Sequence, residues 1–143
     1  MSVLILYMAV DDKLGMMFNN RRQSKDSVLR KHIIEESSGG KLWMNSYTKN
    51  QFELPLVDSI IVDDKFLDKA QENDYCFVEN VPVSEYEGKI KKIILFRWNK
   101  TYPADQYMDI VLDGKRWEQT SVSEFQGSSH EKITKEIWEK KEI

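Results

Sequence analysis

The sequence is poor in the residues that build disulfides and zinc sites. It has one cysteine, Cys76, so an internal disulfide is impossible. Its two histidines, His32 and His130, lie far from each other and from Cys76, so the clustered ligands of a zinc site are missing. A lone cysteine within an apolar segment is typical of a buried, inert thiol in a reducing compartment. We therefore expect a cytoplasmic protein without a bound metal.

Long apolar runs and an excess of positive charge are also missing. No run approaches the roughly 18 apolar residues that a membrane helix needs, and the opening segment "MSVLILYMAV" lacks the basic region and cleavage site of a signal peptide. The net charge of −3 argues against the basic surface that nucleic-acid-binding domains carry. With 143 residues, 41% of them hydrophobic, the chain is expected to form a single globular domain, residues 1–143.

Three motifs that identify common enzymes are absent from the sequence. There is no G-x-x-x-x-G-K-[ST] phosphate loop and no G-x-G-x-x-G dinucleotide fingerprint. The G-x-S-x-G nucleophile elbow is missing as well. Carboxylate pairs such as Asp11-Asp12 and Asp63-Asp64 are interpreted as solvated loop residues. The motifs therefore assign no activity.

Apolar runs and turn residues predict the first half of the fold. Residues 3–10 form a short apolar run that ends in two aspartates, which is typical of a buried central strand. A polar loop is predicted over residues 11–23. Ser24 is expected to cap a helix whose apolar positions, including Leu29 and Ile33, recur at helical spacing. Gly39-Gly40 is expected to end that helix.

The second half of the sequence predicts mainly strands. Residues 60–62, 75–78 and 93–98 have strand composition, and we expect Trp43, Phe77, Ile94 and Phe96 in the core. Asp113-Gly114 predicts a hairpin turn, whereas residues 130–141 fit a strand or a helix equally well. Six or seven strands and two or three short helices favour an α/β (α+β) fold with a single mixed β-sheet flanked by the helices.

Two polar segments are candidates for chemistry or binding. In "GSSHEKIT", residues 127–134, a serine and His130 could form a nucleophile–base pair, but neighbouring residues rarely face each other, and we favour a turn with His130 on its surface. "FRWNKTYPADQY", residues 96–107, mixes cations with aromatic rings. That mixture occurs in single-strand nucleic-acid binders, although the acidic net charge disfavours this interpretation.

The opening segment resembles dihydrofolate reductase. In "LILYMAVDDKLGMMFNN" followed by "SKDSVLRKHI", Ala9, Gly15 and Asn20 match the family's strand and mobile loop, and Asp26 falls where its pterin-binding acid lies. The segments "RWEQTSVSEF" and "HEKITKEIWEKK" resemble the family's closing hairpin. The resemblance implies a reductase-like fold, with Asp26 as the catalytic residue if the chain is an enzyme and NADPH as its cofactor.

The sequence also departs from the family. The family's cofactor glycine pair follows an apolar strand, whereas Gly39-Gly40 follows the polar "EESS". Arg21-Arg22-Gln23 replaces the family's Leu-Pro-Trp before the acid. These departures favour a non-catalytic binding domain without a cofactor. Such a domain would act through a protein or a small nucleotide-like partner, and the role of an inhibitor is one option.

An NADPH-dependent reductase of a pterin-like substrate is the alternative.

The candidate binding residues are arginines and large aromatic residues, because these residue types dominate binding hot spots. The aromatic ones are expected on the surface. The six candidates are Arg21, Arg22, Arg97, Trp98, Tyr102 and Tyr107.

Overall fold

A seven-stranded mixed sheet forms the centre of the computed structural model, which describes residues 3–52 and 59–141. Its order is β5-β4-β6-β1-β7-β10-β9, and we call it the large sheet. The first five strands in this order are parallel, whereas β10 is antiparallel to both of its neighbours. The strands of the large sheet are β1 (Leu4–Val10), β4 (Leu42–Met44), β5 (Ile60–Val62), β6 (Tyr75–Phe77), β7 (Ile90–Arg97), β9 (Trp117–Phe125) and β10 (Ile133–Lys140).

A small antiparallel sheet of order β3-β2-β8 combines two strands that follow β1 with one strand that follows β7. It consists of β2 (Gly15–Phe18), β3 (Arg21–Arg22) and β8 (Gln106–Tyr107). The segment predicted as a loop therefore contains two short strands. Asn19 and Asn20 turn the chain between β2 and β3 with φ of 53° and 62°, a conformation that asparagine tolerates.

The helices are short. They are α1 (Ser27–Glu36), α2 (Ser46–Lys49), α3 (Phe66–Lys69) and a 3-10 helix (Ser84–Lys89). No helix of the described residues is long and apolar enough to cross a membrane. These elements confirm the predicted fold class, a mixed sheet with a few flanking helices.

The alternation of side chains along the strands divides the core into two halves. On the face of the large sheet that carries α1, Leu29 and Ile33 pack with Tyr7 and Phe96; we call this the α1 face. On the opposite face, Leu6, Ile93 and Leu95 pack with residues of α3 and of the segment 108–112. Cys76 belongs to this second half, and burial raises the pKa of its thiol to about 12, as expected for an inert cysteine.

Several sequence predictions are decided by the fold. Residues 133–140 form a strand, and Phe77, Ile94 and Phe96 are buried as expected, whereas Trp43 is only partly buried. The predicted Asp113-Gly114 hairpin is wrong. Gly114 has the expected positive φ of 75°, but β9 pairs with β10.

The segment 108–112 is bonded to parts of the chain other than β9. The Met108 N–H donates to Leu14 O (2.9 Å), and the Asp109 side chain accepts from Val83 and Ser84. A turn signal in the sequence therefore predicted the local backbone conformation correctly and the strand partner incorrectly.

Candidate functional site

Asp26 is the N-cap of α1. One of its carboxylate oxygens, Oδ1, accepts hydrogen bonds from the backbone N–H groups of Val28 (2.9 Å) and Leu29 (3.0 Å), which have no partner within the first turn. Ser24, which we expected to cap the helix, lies two residues before this position. A carboxylate at a helix N-terminus is also favoured by the helix dipole.

The second oxygen of Asp26 is held by the loop between β9 and β10. Oδ2 accepts the backbone N–H of Ser129 at 2.7 Å and its hydroxyl at 2.8 Å. Gly127 lets this loop approach, because a side chain there would collide with the carboxylate. Asp26 is consequently only 1% exposed, and four protein groups occupy its two oxygens.

These hydrogen bonds decide the charge of Asp26. Burial raises the pKa of the carboxyl group, but the backbone N–H groups of Ser129, Ser128 and Leu29 and the Ser129 hydroxyl lower it more. The net effect places the pKa of Asp26 well below its usual value. The residue is therefore an ionised structural cap at neutral pH.

A chain of hydrogen bonds continues from Asp26 to Tyr102. The Ser129 hydroxyl lies 2.7 Å from Nδ1 of His130, and Nε2 of His130 lies 2.7 Å from the Tyr102 hydroxyl. We call Asp26, Ser129, His130 and Tyr102 the Asp26–Tyr102 network. The Trp98 ring stacks on His130 with centroids 4.7 Å apart.

The proton positions of the network follow from its donors and acceptors. An ionised Asp26 only accepts, so the Ser129 hydroxyl donates to it, Nδ1–H of His130 donates to Ser129, and the Tyr102 hydroxyl donates to Nε2. Burial lowers the pKa of His130, with Lys100 adding to the effect and Asp26 opposing it. A neutral imidazole fits this arrangement. Serine lies between the acid and the histidine, so the order differs from that of a catalytic triad.

The network corrects two predictions. His130 is 6% exposed rather than on the surface of a turn, and Trp98 is 4% exposed rather than an exposed anchor. The fold brings together Asp26, Trp98 and Tyr102, three of the predicted site residues. Beside them lies a cavity of about 350 Å³ that includes the stretches Trp98–Lys100 and Ser129–Lys132.

The other predicted binding residues lie apart from this network. Arg22 donates from Nε to Glu79 at 3.0 Å, and its guanidinium lies over the ring of Tyr47 at 4.4 Å. Arg21 and Tyr107 are exposed on the small sheet. Arg97 belongs to the opposite face of the large sheet and pairs with Glu136 at 2.8 Å. No pattern in the sequence pointed to Tyr47, Glu79 or Glu136 as their partners.

The space beside β1 on the α1 face is filled by side chains. Tyr7 and Phe96 are fully buried there, with their rings stacked 6.2 Å apart, and Phe125 meets Phe96 edge-on. Burial, followed by the nearby charge of Glu36, raises the pKa of Tyr7 far above its usual value. The reductase resemblance implies a pterin-binding acid in this part of the fold, and here the acid is enclosed.

The carboxyl ends of the parallel strands are where open α/β sheets usually bind ligands. After β6 the chain continues with Val78, Glu79 and Asn80 instead of glycines. Glu79 pairs with Arg22, and Asn80 accepts a hydrogen bond from Asn45 at 2.7 Å. Within the part of the chain that the structure describes, no cluster of histidine, cysteine and carboxylate side chains could hold a metal ion.

Comparison with known proteins shows the fold. No protein-family model matches the sequence, and no curated protein matches it either. Among solved structures, the chain is similar to dihydrofolate reductase from Enterococcus faecalis complexed with NADP(H) and RAB-propyl, with a TM-score of 0.70 and 12% identity. The match covers 98% of this chain and 97% of the reductase. The chain therefore has a dihydrofolate-reductase-like fold, as its opening segment and closing hairpin suggested.

Proposed function

We propose that this chain is a binding domain on a dihydrofolate-reductase-like scaffold that does not catalyse the reductase reaction. One observation carries the proposal: both carboxylate oxygens of Asp26 are hydrogen-bonded within the protein while the side chain is 1% exposed. An acid that protonates or orients a substrate must reach it. A protein or nucleotide-like partner, and the cytoplasmic location suggested by the lone cysteine, are parts of this proposal.

The small sheet supplies the surface that supports a protein partner. Phe18 is 47% exposed and Tyr107 is 48% exposed, and Arg21 lies directly opposite Phe18 on β3. Aromatic residues and arginine are enriched among the residues that contribute most to protein–protein binding. Both aromatic residues belong to the small sheet, and exposed apolar residues on one element are candidates for an interaction surface. We therefore assign partner contact to Phe18, Arg21 and Tyr107.

An NADPH-dependent reductase of a pterin-like substrate is the second candidate. The comparison supports this candidate, because the similar reductase is complexed with NADP(H) and the match covers almost the entire length of both chains. In that case the carboxyl ends of β1, β4 and β6 would hold the dinucleotide, and the cofactor would supply the hydride. Arg22 pairs with Glu79, which follows β6. The negative charges of Glu79 and Asp64 at this edge would repel a phosphate group.

Cofactor titration separates the two candidates. Thermal unfolding of the wild-type protein is measured with NADPH, NADP⁺ and adenosine nucleotides up to millimolar concentration, and a dihydrofolate reductase is measured in parallel as the positive control. A ligand that binds only the native state stabilises it. A binding domain without a cofactor site is therefore expected to keep its melting temperature when NADPH is added. It is also expected not to oxidise NADPH in the presence of dihydrofolate. Turnover of dihydrofolate that is lost in Asp26→Asn would establish the reductase instead.

The partner surface is tested separately by co-purification from native lysate. The wild type is compared with Phe18→Ala, Arg21→Ala and Tyr107→Ala, and with Val122→Ala as the matched control, because Val122 is 60% exposed on the distant strand β9. A stoichiometric protein retained by the wild type and the control, but not by the three variants, is expected. Equal retention by all of them would remove the small sheet from the proposal.

A further inference from the structure

A cavity of about 510 Å³ lies on the opposite face of the large sheet, away from the Asp26–Tyr102 network. Its volume is within the range of small-molecule sites. It lies between β7, β10 and the segment 108–112. We call it the Arg97 cavity, and its main lining residues are Leu14, Arg97, Met108, Ile110, Leu112 and Trp138.

Arg97 supplies hydrogen-bond donors to a lining that is otherwise mainly apolar. Its Nε donates to Oε2 of Glu136 at 2.8 Å, and Oε1 of Glu136 accepts the indole N–H of Trp138 at 3.0 Å. Glu136 therefore fixes both the guanidinium and the indole. Among the described residues, the terminal nitrogens of Arg97 have no hydrogen-bond partner, and the side chain is 25% exposed.

The charges around the cavity favour an uncharged ligand. Glu136 already balances the charge of Arg97. Asp109 also lines the cavity; burial raises its pKa, but hydrogen bonds from Val83 and Ser84 lower it more, so this carboxylate is ionised. A ligand carboxylate would therefore meet two negative groups and one positive group. A neutral carbonyl oxygen accepts from Arg97 without that repulsion.

The backbone of Leu14 is strained at the edge of this cavity. Its φ is 65°, a left-handed conformation that costs a bulky residue of this kind free energy. The Asp11 and Met108 backbones hold it there, since Leu14 N–H donates to Asp11 O at 3.1 Å and Leu14 O accepts from Met108. Strain of this kind concentrates at ligand sites, and here it positions the Leu14 side chain in the cavity wall.

We propose that the Arg97 cavity binds a small, uncharged apolar molecule that carries one carbonyl group, with the carbonyl oxygen accepting from Arg97 and the apolar body packing against Leu14, Ile110 and Trp138. The proposal holds whether the chain is a binding domain or a reductase, because none of these residues belongs to the Asp26–Tyr102 network or to the small sheet.

The test uses three probes of similar size that differ in their polar group: acetanilide, benzoate and ethylbenzene. Binding to the wild-type protein is followed by the ¹H–¹⁵N NMR signals of Leu14, Ile110, the Trp138 indole and Arg97 Nε–H. Acetanilide is expected to shift these four signals and to bind at least tenfold more tightly than benzoate. Benzoate binding more tightly than acetanilide, or no shift of these signals at millimolar acetanilide, would overturn the proposal.

Variants test the hydrogen bond itself. Arg97→Met keeps the length of the side chain and removes the donors. Arg116→Met is the matched control, because the Arg116 side chain is 54% exposed and does not line the Arg97 cavity. Arg97→Met is expected to weaken acetanilide by about tenfold or more while leaving ethylbenzene within about twofold. Equal loss for both probes would show a packing effect and contradict the assigned contact. Should Arg97→Met unfold, the ranking of the probes on the wild type decides.

Discussion

The two faces of the large sheet differ in how completely their ionised side chains are hydrogen-bonded within the protein. On the α1 face, Asp26 is enclosed and receives hydrogen bonds from α1 and from the β9–β10 loop. On the opposite face, Arg97 and Glu136 form an ion pair beside an open cavity, and the guanidinium keeps unused donors. The first arrangement serves stability, whereas the second leaves binding capacity available.

The difference follows from what covers each face. The β9–β10 loop brings Gly127, Ser128 and Ser129 directly onto the start of α1, so polar groups from two distant parts of the chain satisfy each other. The segment 108–112 reaches the opposite face through a bond to Leu14 and through Asp109, and it leaves the guanidinium of Arg97 without a further partner. A buried charge needs such partners, whereas a partly exposed one does not.

The largest expected effect concerns the core that supports the enclosed face. Ile94 is 5% exposed on β7, between β1 and β10. Ile94→Ala should lower the free energy of unfolding by roughly 2–5 kcal/mol, because it removes buried methyl groups and leaves a cavity. Denaturant unfolding measures the change, with the exposed Val122→Ala as the control, expected within about 0.5 kcal/mol of the wild type. An unchanged midpoint for Ile94→Ala would contradict the packing of β7.

The next effect concerns the enclosed carboxylate. In Asp26→Asn the side-chain carbonyl still caps Val28 and Leu29, but the amide N–H groups face the two donors of Ser129. A buried donor without a partner costs about 1–3 kcal/mol, more than the 0.3–1 kcal/mol of a simple helix-dipole effect. Denaturant unfolding at neutral pH measures the loss. A loss below about 0.5 kcal/mol would mean that the loop does not hold the carboxylate.

The same variant has a defined dependence on pH. The pKa of Asp26 is lower in the folded protein than the ordinary value of 3.8, so its stabilisation is present above that pH and declines as the pH falls below it. The difference in unfolding free energy between the wild type and Asp26→Asn should therefore be constant near neutral pH and shrink below about pH 4. A difference that grows with acid would contradict the assignment.

Periodicity and a short resemblance predicted the fold, but the candidate site depends on contacts that are remote in sequence. The apolar run of β1, the helix after it and the closing hairpin were visible because each is a local pattern. Asp26 was correctly singled out, yet its partner Ser129 lies 103 positions away, so the enclosure of the carboxylate had no local signal. Trp98 was predicted to be exposed because the sequence does not show which loop covers the end of β7.

A smaller effect concerns the outer end of the Asp26–Tyr102 network. Tyr102→Phe removes the hydroxyl that donates to Nε2 of His130, at a cost of about 0.5–1.5 kcal/mol. The donor stabilises the neutral imidazole, so its removal should raise the pKa of His130 toward the ordinary value of 6.5. NMR titration of His130 measures this shift. Tyr107→Phe, which removes an exposed hydroxyl, is the control. An unchanged His130 titration in Tyr102→Phe would contradict the hydrogen bond between Tyr102 and His130.

For His130 itself, the sign of the pH effect is fixed by its lowered pKa. The unfolded chain takes up a proton near pH 6.5 while the folded chain does not, so the contribution of His130 to stability is complete above that pH and declines as the pH falls toward the folded pKa. In Tyr102→Phe this decline should be smaller. Unfolding curves between pH 7.5 and pH 5, on the wild type and the variant, measure it.

The smallest effect is expected on the open face. Glu136→Gln removes the charge that faces Arg97 but keeps an amide oxygen that can still accept from Arg97 or from Trp138. The two side chains are 25% and 12% exposed, so solvent screens the pair, and we expect a loss of about 0–1 kcal/mol. Glu124→Gln, which affects a more exposed pair with Lys132, is the control. Denaturant unfolding compares them with Asp26→Asn. A loss in Glu136→Gln as large as that in Asp26→Asn would show that Arg97 is held as tightly as the enclosed carboxylate, and the contrast between the two faces would disappear.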